Sequence, residues 1–209
     1  MREILSAIDQ YKYISFDIFD TLITRKFLFP RDVFVEAEKK YNEISCNKIN
    51  NFRKWRILAE ERAAEIAIEH GREECTFDEI YEQVSELLSL SVEDIALLQQ
   101  CELDVELENC LPRSIGKQLI LYAFSKEKTV FFTSDMYLDK ESIKQLLVKS
   151  GIPLVNDKYF FVSSEIGKKK KTGSLFEYIS ETLKISKSDI FHIGDNPIGD
   201  YKMPLAASC

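Results

Sequence analysis

Four short stretches of the chain are apolar at nearly every position and β-prone, without the three-to-four-residue spacing of a surface helix. They are Tyr13–Phe19, Thr129–Thr133, Lys158–Ser163 and Asp189–Ile193. Runs of this kind predict strands buried on both faces, the condition of a parallel sheet. Helical patterns lie between the last three. Residues Leu138–Gly151 close on a glycine suited to a C-terminal cap. Residues Gly173–Leu183 place Leu175, Phe176, Ile179 and Leu183 on one face. Strands alternating with helices predict an α/β fold with a parallel sheet covered on both sides.

Between the first and second strands the pattern changes. From about residue 30 to residue 126 no strand is predicted. Pro30 stands where a helix can begin, and Arg31–Tyr41 carries Val33, Phe34 and Ala37 on one stripe. Asn47–His70 is a long helical pattern closed by Gly71, Thr76–Leu88 opens with a capping-box sequence, and Ser91–Asn109 begins Ser-Val-Glu-Asp. Another helix, Arg113–Ser125, leads back to the second strand. The reading is a core of residues 1–24 and 113–209, with an all-helical cap, residues 25–112, inserted after the first strand. No internal repeat, low-complexity segment or glycine-serine linker interrupts it.

Composition narrows the function classes. A net charge of −7 over 209 residues gives no general affinity for nucleic acid or an anionic membrane. No apolar run approaches a membrane span, and residues 1–10 lack the apolar stretch of a signal peptide. The five cysteines (46, 75, 101, 110 and 209) have no Cys-x-x-Cys spacing, which reads as reduced thiols in the cytoplasm. Two histidines, His70 and His192, are too few for a histidine-rich zinc site.

In open parallel sheets ligands bind beyond the carboxyl ends of the strands, so the polar residues there carry the candidate chemistry. Asp17, Phe19, Asp20 and Thr21 follow the first strand, and Ser134 and Asp135 follow the second. The basic run Lys168–Lys171 follows the third, and Gly194-Asp195-Asn196, with Asp200 beyond, follows the fourth. A carboxylate, a hydroxyl, a lysine and an acidic pair converging on one edge suit phosphoryl transfer. The competing readings are structural: helix caps for Ser134 or Asp135, a solvated loop for the lysines, and a helix N-terminal charge for Asp200.

The segments FDIFDTL, VFFTS, KTGSLF and HIGDNPIGD, in that order, resemble the four motifs of the haloacid-dehalogenase-like hydrolase superfamily. With SDMYL they resemble a bacterial subgroup of hydrolases sometimes found beside glycosyltransferases. The resemblance implies a Rossmannoid three-layer core with a helical cap, and a Mg²⁺-dependent phosphatase acting through an aspartyl-phosphate. Asp17 would be the nucleophile, and Ser134 would hold a phosphoryl oxygen, with Thr133 the alternative. Lys171, chosen over Lys170 from its spacing to Phe176, would neutralise charge. Asp17, the Phe19 carbonyl, Asp195 and Asp200 would hold Mg²⁺. The substrate would be a small phosphorylated metabolite, with a sugar phosphate suggested by the glycosyltransferase association.

The chain departs from the family pattern at Phe19, where a second aspartate normally serves as acid and base. Phenylalanine carries no proton. Asp20, one step later, would take over that role, or the leaving group needs none, or the chain binds a phosphorylated ligand without fast turnover. In the cap, Arg53, Arg56 and Arg62 read as solvated helix charges paired with Glu60, Glu61 and Glu65, and Phe52 and Trp55 as cap core. Residues 201–209 are too few for the final helix and fifth strand of the family fold, so the expectation is an exposed sheet edge, with a homodimer or poor stability as the alternatives that follow from it.

Overall fold

The structure is a computed structural model, and it describes residues 1–202. Of residues 201–209, on which the expectation about the sheet edge rests, 203–209 lie outside the described residues. The chain opens with helix α1 (Arg2–Gln10) and strand β1 (Tyr13–Asp17), then a short strand β2 (Ile23–Arg25). Helices α2 (Val33–Ile44), α3 (Phe52–Glu69), α4 (Phe77–Leu88) and α5 (Val92–Asn109) follow, and strand β3 (Cys110–Pro112) ends the excursion. Next come α6 (Ser114–Ser125), β4 (Thr129–Ser134), α7 (Lys140–Lys149) and β5 (Phe160–Val162). The chain continues through the short α8 (Ser163–Ile166), α9 (Ser174–Leu183) and β6 (Ile190–Ile193) to a π-helical turn, Pro197–Lys202. No helix among the described residues is long and apolar enough to cross a membrane.

Among the described residues, one parallel sheet has the order β5-β4-β1-β6. The central strand pairs Ser15 with Phe131 on one side and with His192 on the other. Alternation along the strands divides the core. Phe131, Phe161 and Ile190 pack with Leu175, Phe176 and Ile179 of α9. Ile14, Phe16, Val130, Phe132, Phe160 and Val162 face the cluster that includes Ile8 of α1, Leu119 and Ile120 of α6 and Ile143 of α7. Each fully buried phenylalanine contributes roughly 2–3 kcal/mol of transfer free energy. Helices on both sides of a parallel sheet make the three-layer α/β architecture that the strand pattern predicts.

Several features differ from the sequence reading. The strand at Tyr13–Phe19 stops at Asp17, because the backbone turns back there: Leu22 and Ile23 donate N–H groups to the Ile18 carbonyl at 2.9 and 3.0 Å. The third strand is only Phe160–Val162, flanked by a 3₁₀ turn and α8. Strands β2 and β3 form an antiparallel ribbon that the pattern did not show, since three residues each are too few to establish a period. That ribbon frames the entry and exit of α2–α5. Helix α1 was also not anticipated; its apolar stripe is short, with Ile8 buried and Ile4 and Leu5 partly so.

Within the inserted helices the capping box at Thr76 forms as predicted, with Thr76 Oγ1 accepting from the Glu79 N–H and the Glu79 carboxylate accepting from the Thr76 N–H. Arg56 is the main correction. It is fully buried rather than solvated, its guanidinium held by Glu102 through two hydrogen bonds of 3.0 Å and by Glu60 at 2.9 Å. Rings of Phe34 and Tyr137 lie 4.7 and 4.6 Å from its central carbon. Arg53, by contrast, makes an exposed pair with Asp32. Phe52 is buried, whereas Trp55 is only half-buried.

Candidate active site

The chemistry-bearing residues gather at the carboxyl end of the sheet, in a cleft of about 530 Å³. Asp17 ends β1 and is buried. Beyond it the chain makes a tight turn in which Asp20 adopts a left-handed backbone, φ 56°, and donates its N–H to the Ile23 carbonyl at 2.7 Å. Aspartate tolerates that conformation better than most residues. Its carboxylate accepts from the Thr24 hydroxyl at 2.7 Å and lines the cleft, while the Arg113 guanidinium binds its carbonyl. Helix α6 is pressed against this turn: a Cβ on Gly116 would lie 2.0 Å from the Thr21 carbonyl oxygen, so only glycine fits.

The lysine at the centre is Lys170, not Lys171. The Lys170 ammonium lies 2.5 Å from Asp17 Oδ1 and 2.6 Å from Asp200 Oδ1, and all three side chains are buried. Lys171 is exposed at the rim of the cleft. The cause is Asp135, whose two carboxylate oxygens accept the backbone N–H groups of Lys170 (2.8 Å) and Lys171 (3.2 Å). That clamp fixes the loop so that Lys170 points inward, a contact that spacing to the next helix could not register. Asp135 therefore does not cap α7; Asp139 does, accepting from the Ser142 N–H at 2.6 Å.

Ser134, at the end of β4, is buried yet lines the cleft, and among the described residues its hydroxyl has no protein partner. Thr133, the alternative, points into the core and bonds Ser15 at 3.2 Å. Asp195 is exposed on the cleft, with the Thr21 hydroxyl 3.5 Å away. Asp200 folds back from the π-helical turn over Gly194, where a Cβ would come within 2.3 Å of its carboxylate. Its Oδ2 accepts the Asn196 N–H at 2.9 Å, and its Oδ1 also contacts His192 Nε2 at 3.0 Å. The Phe19 ring packs against the Arg25 guanidinium, 4.7 Å away, and Arg25 is held by Glu106 through two bonds of 2.7 Å.

The electrostatics are unbalanced. Burial raises the Asp17 carboxyl to about 6, against the pull of Lys170 and reinforced by Asp200. Burial also raises Asp195, with Asp20 and Asp200 adding to it. For Lys170 burial works downward, but Asp17, Asp200 and Asp135 raise it above its ordinary value. For Asp200 burial works upward, but His192 and Lys170 hold it well below the usual range. Oxygens of Asp17, Asp195 and Asp200 lie within 4.8 Å of one another, and Lys170 pairs with the first and the last of them. An octahedral magnesium ion spans about 4.2 Å between opposite oxygens and takes hard oxygen donors. The three carboxylates, short of positive charge, fit such an ion.

The inserted helices reach this site through the loop between α3 and α4. Glu73 accepts from the Lys169 N–H (2.9 Å) and from the hydroxyls of Thr172 (2.6 Å) and Ser174 (2.7 Å). Glu74, on the cleft, pairs with the Lys169 ammonium at 3.1 Å. Tyr137 stacks on Phe77 of α4 at 5.8 Å. Sequence reasoning missed Asp135 as a clamp, Glu73 and Glu74, and the Ser15, Thr133 and His192 chain. The last had a signal: polar side chains on one parity of strands that are otherwise apolar.

No family model matches the chain, and no curated protein matches it in sequence. Solved structures do match in fold. A 2-haloacid dehalogenase from Pseudomonas syringae pv. Tomato DC3000 superposes with a TM-score of 0.61 at 16% identity, over 94% of this chain and 83% of that one. A haloacid-dehalogenase-like hydrolase from Bacillus subtilis bound to magnesium gives 0.56 at 20% identity, over 94% and 85%. A predicted phosphoglycolate phosphatase from Haemophilus somnus 129PT gives 0.53 at 13% identity, over 96% and 83%. The chain therefore has the haloacid-dehalogenase-like hydrolase fold, a parallel Rossmannoid core with inserted helices.

Proposed function

We propose that this protein is a magnesium-dependent phosphatase of small phosphorylated metabolites, sugar phosphates among them. The observation that carries the reading is the Lys170 ammonium between Asp17 and Asp200, beside Asp195 and the Ser134 hydroxyl, which has no partner among the described residues. In this reading Asp17 attacks phosphorus in line, the P–O bond to the leaving group breaks, and an aspartyl-phosphate forms. Water then attacks that phosphorus, returning the carboxylate and releasing inorganic phosphate. Ser134 donates to a phosphoryl oxygen, and Lys170 offsets the charge that gathers between nucleophile and phosphate. Asp17, Asp195 and the Phe19 carbonyl would hold Mg²⁺. Asp200, with three of about four lone-pair positions already engaged, would support a metal-bound water. The ion would supply Lewis-acid polarisation of the phosphoryl group.

Asp20 lines the same cleft and serves as the proton donor to the leaving oxygen, since Phe19 cannot. Residues 25–112 act as a cap that selects the substrate above a core of 1–24 and 113–209. The buried cysteines 75, 101 and 110 are free thiols, in keeping with a cytoplasmic enzyme. The dehalogenase reading is less favoured, because a carboxylate cluster short of positive charge suits a divalent cation. The second reading, a phospholigand-binding module with little turnover, is favoured by Phe19 alone.

Phosphate release from sugar phosphates, nucleotides and an activated aryl phosphate, with and without Mg²⁺, tests the reading. Metal-dependent release lost in both Asp17→Asn and Asp20→Asn is the expected result. Release from the aryl phosphate that survives Asp20→Asn would assign the natural substrate a good leaving group. No release by the wild type, with Mg²⁺ binding intact, would favour the binding module.

A further inference from the structure

Below the Asp17–Lys170–Asp200 triangle, three polar side chains sit on the α9-facing side of the sheet, among Phe131, Phe161 and Ile190. They come from three adjacent strands. Thr133 Oγ1 of β4 lies 3.2 Å from Ser15 Oγ of β1, which lies 2.9 Å from Nδ1 of His192 in β6. The far nitrogen, Nε2, lies 3.0 Å from Asp200 Oδ1. Phe176 meets the imidazole at 5.2 Å and 73°, which fixes the ring plane.

The order of the protons follows from which groups can accept. Asp200, paired with the Lys170 ammonium, is an acceptor only, so Nε2 carries a hydrogen. Thr133 is fully buried, and Ser15 is its hydroxyl's partner among the described residues, so Thr133 donates to Ser15. Ser15 then donates to Nδ1, which must be bare. The reverse order leaves a buried hydroxyl proton without an acceptor, an unfavourable arrangement. The carboxylate this chain reaches stands on a short turn, whereas the imidazole stands on strand β6, which is paired along its length with the central strand β1. Rigid elements position functional groups more closely than turns do.

We propose that His192, locked by Thr133 and Ser15 as its Nε2–H tautomer, is a positioning residue that anchors Asp200 and, through it, the Lys170 ammonium beside Asp17. The consequence for metal and turnover rests on the function proposed above; the tautomer and the placement of Lys170 do not.

Nitrogen-15 NMR of the histidine side chains tests it directly, because the chain has only His70 and His192. The expected His192 signals are a pyridine-like Nδ1 and a protonated, pyrrole-like Nε2, with the Nδ1 signal shifted in Ser15→Ala by loss of the hydroxyl that donates to it. A protonated Nδ1 in the wild type would overturn the proposal. The Lys170 side-chain ammonium signal should shift in His192→Leu and return toward its wild-type position in His192→Gln, which keeps an N–H for Asp200. An unmoved Lys170 signal in folded His192→Leu would also overturn it. Residues of this kind behind a metal site typically alter affinity 10–100-fold. Calorimetry should therefore show Mg²⁺ affinity about 10-fold or more weaker in His192→Leu, with most of the loss recovered in His192→Gln. Turnover should fall in kcat rather than rise in KM. A wild type that neither binds Mg²⁺ nor releases phosphate would sink the phosphatase reading, while the two NMR observations would still decide the role of His192.

Discussion

Two groups of buried charge can be set side by side in this molecule. Among the inserted helices, Arg56 is enclosed by Glu102, Glu60 and Tyr81 and faced by aromatic rings, and the Tyr81 hydroxyl bonds Glu102 at 2.9 Å. At the strand ends, Lys170 is shared between Asp17 and Asp200, Asp195 stands nearby with a raised pKa, and among the described residues the Ser134 hydroxyl has no protein partner. In the first group Arg56 and Glu102 are fully buried and bonded to each other, and neither borders the strand-end cleft. The second borders the large cleft and is short of positive charge. Buried ions are tolerated when paired and hydrogen-bonded. A site left under-compensated, with a free donor, has what a ligand can complete.

The sharpest way to break this comparison is Asp17→Asn. Loss of the proposed nucleophile is expected to lower Mg²⁺-dependent phosphate release by at least about 1,000-fold, read from initial rates. A variant that keeps turnover would move the chemistry elsewhere. In the helices the effect should be on stability. Arg56→Met leaves Glu102 buried without its partner and is expected to cost about 3–5 kcal/mol, read from urea unfolding. The double variant Arg56→Met/Glu102→Leu should recover much of that loss. A single variant as stable as the wild type would contradict the view of this pair as structural.

Next in size, Lys170→Met is expected to lower turnover about 100-fold. Lys171→Met should leave it near the wild-type value. The reverse ranking, from the same assay, would restore the spacing-based choice of lysine.

The smallest effect separates the two groups by sign. Burial raises the Asp17 carboxyl from an ordinary 3.8 to about 6, so ionising it disfavours the folded state. In metal-free buffer at pH 7, Asp17→Asn should be about 2–3 kcal/mol more stable than the wild type. Because the raised carboxyl favours folding only when protonated, that advantage should shrink as pH falls through 6 and vanish below about 3.8. Excess Mg²⁺ should stabilise the wild type and not the variant. Thermal unfolding across pH, with EDTA or Mg²⁺, measures both. Equal stability at pH 7 would mean that Lys170 fully offsets the burial of the Asp17 carboxylate.

By itself the sequence determined the architecture and the address of the site. Continuous apolar runs such as Val130–Phe132 can be satisfied only by burial on both faces, and acidic or hydroxyl residues straight after them can only reach the strand ends. Asp17, Ser134, Asp195 and Asp200 were legible for that reason. Tertiary structure decided what depends on contacts between distant segments. Lys170 rather than Lys171 points inward because Asp135, 35 residues earlier, binds both backbone N–H groups. Arg56 is buried because Glu102, 46 residues on, meets it in the helical core, though on its own helix it reads as one more charge beside Glu60. His192 is joined to Asp200 and to Ser15, 177 residues away, by a strand register that no local pattern encodes. Hydrophobic burial is nearly local in its signal and non-directional in its physics. Hydrogen bonds and ion pairs need particular atoms to meet at particular angles, and only the folded chain brings them together.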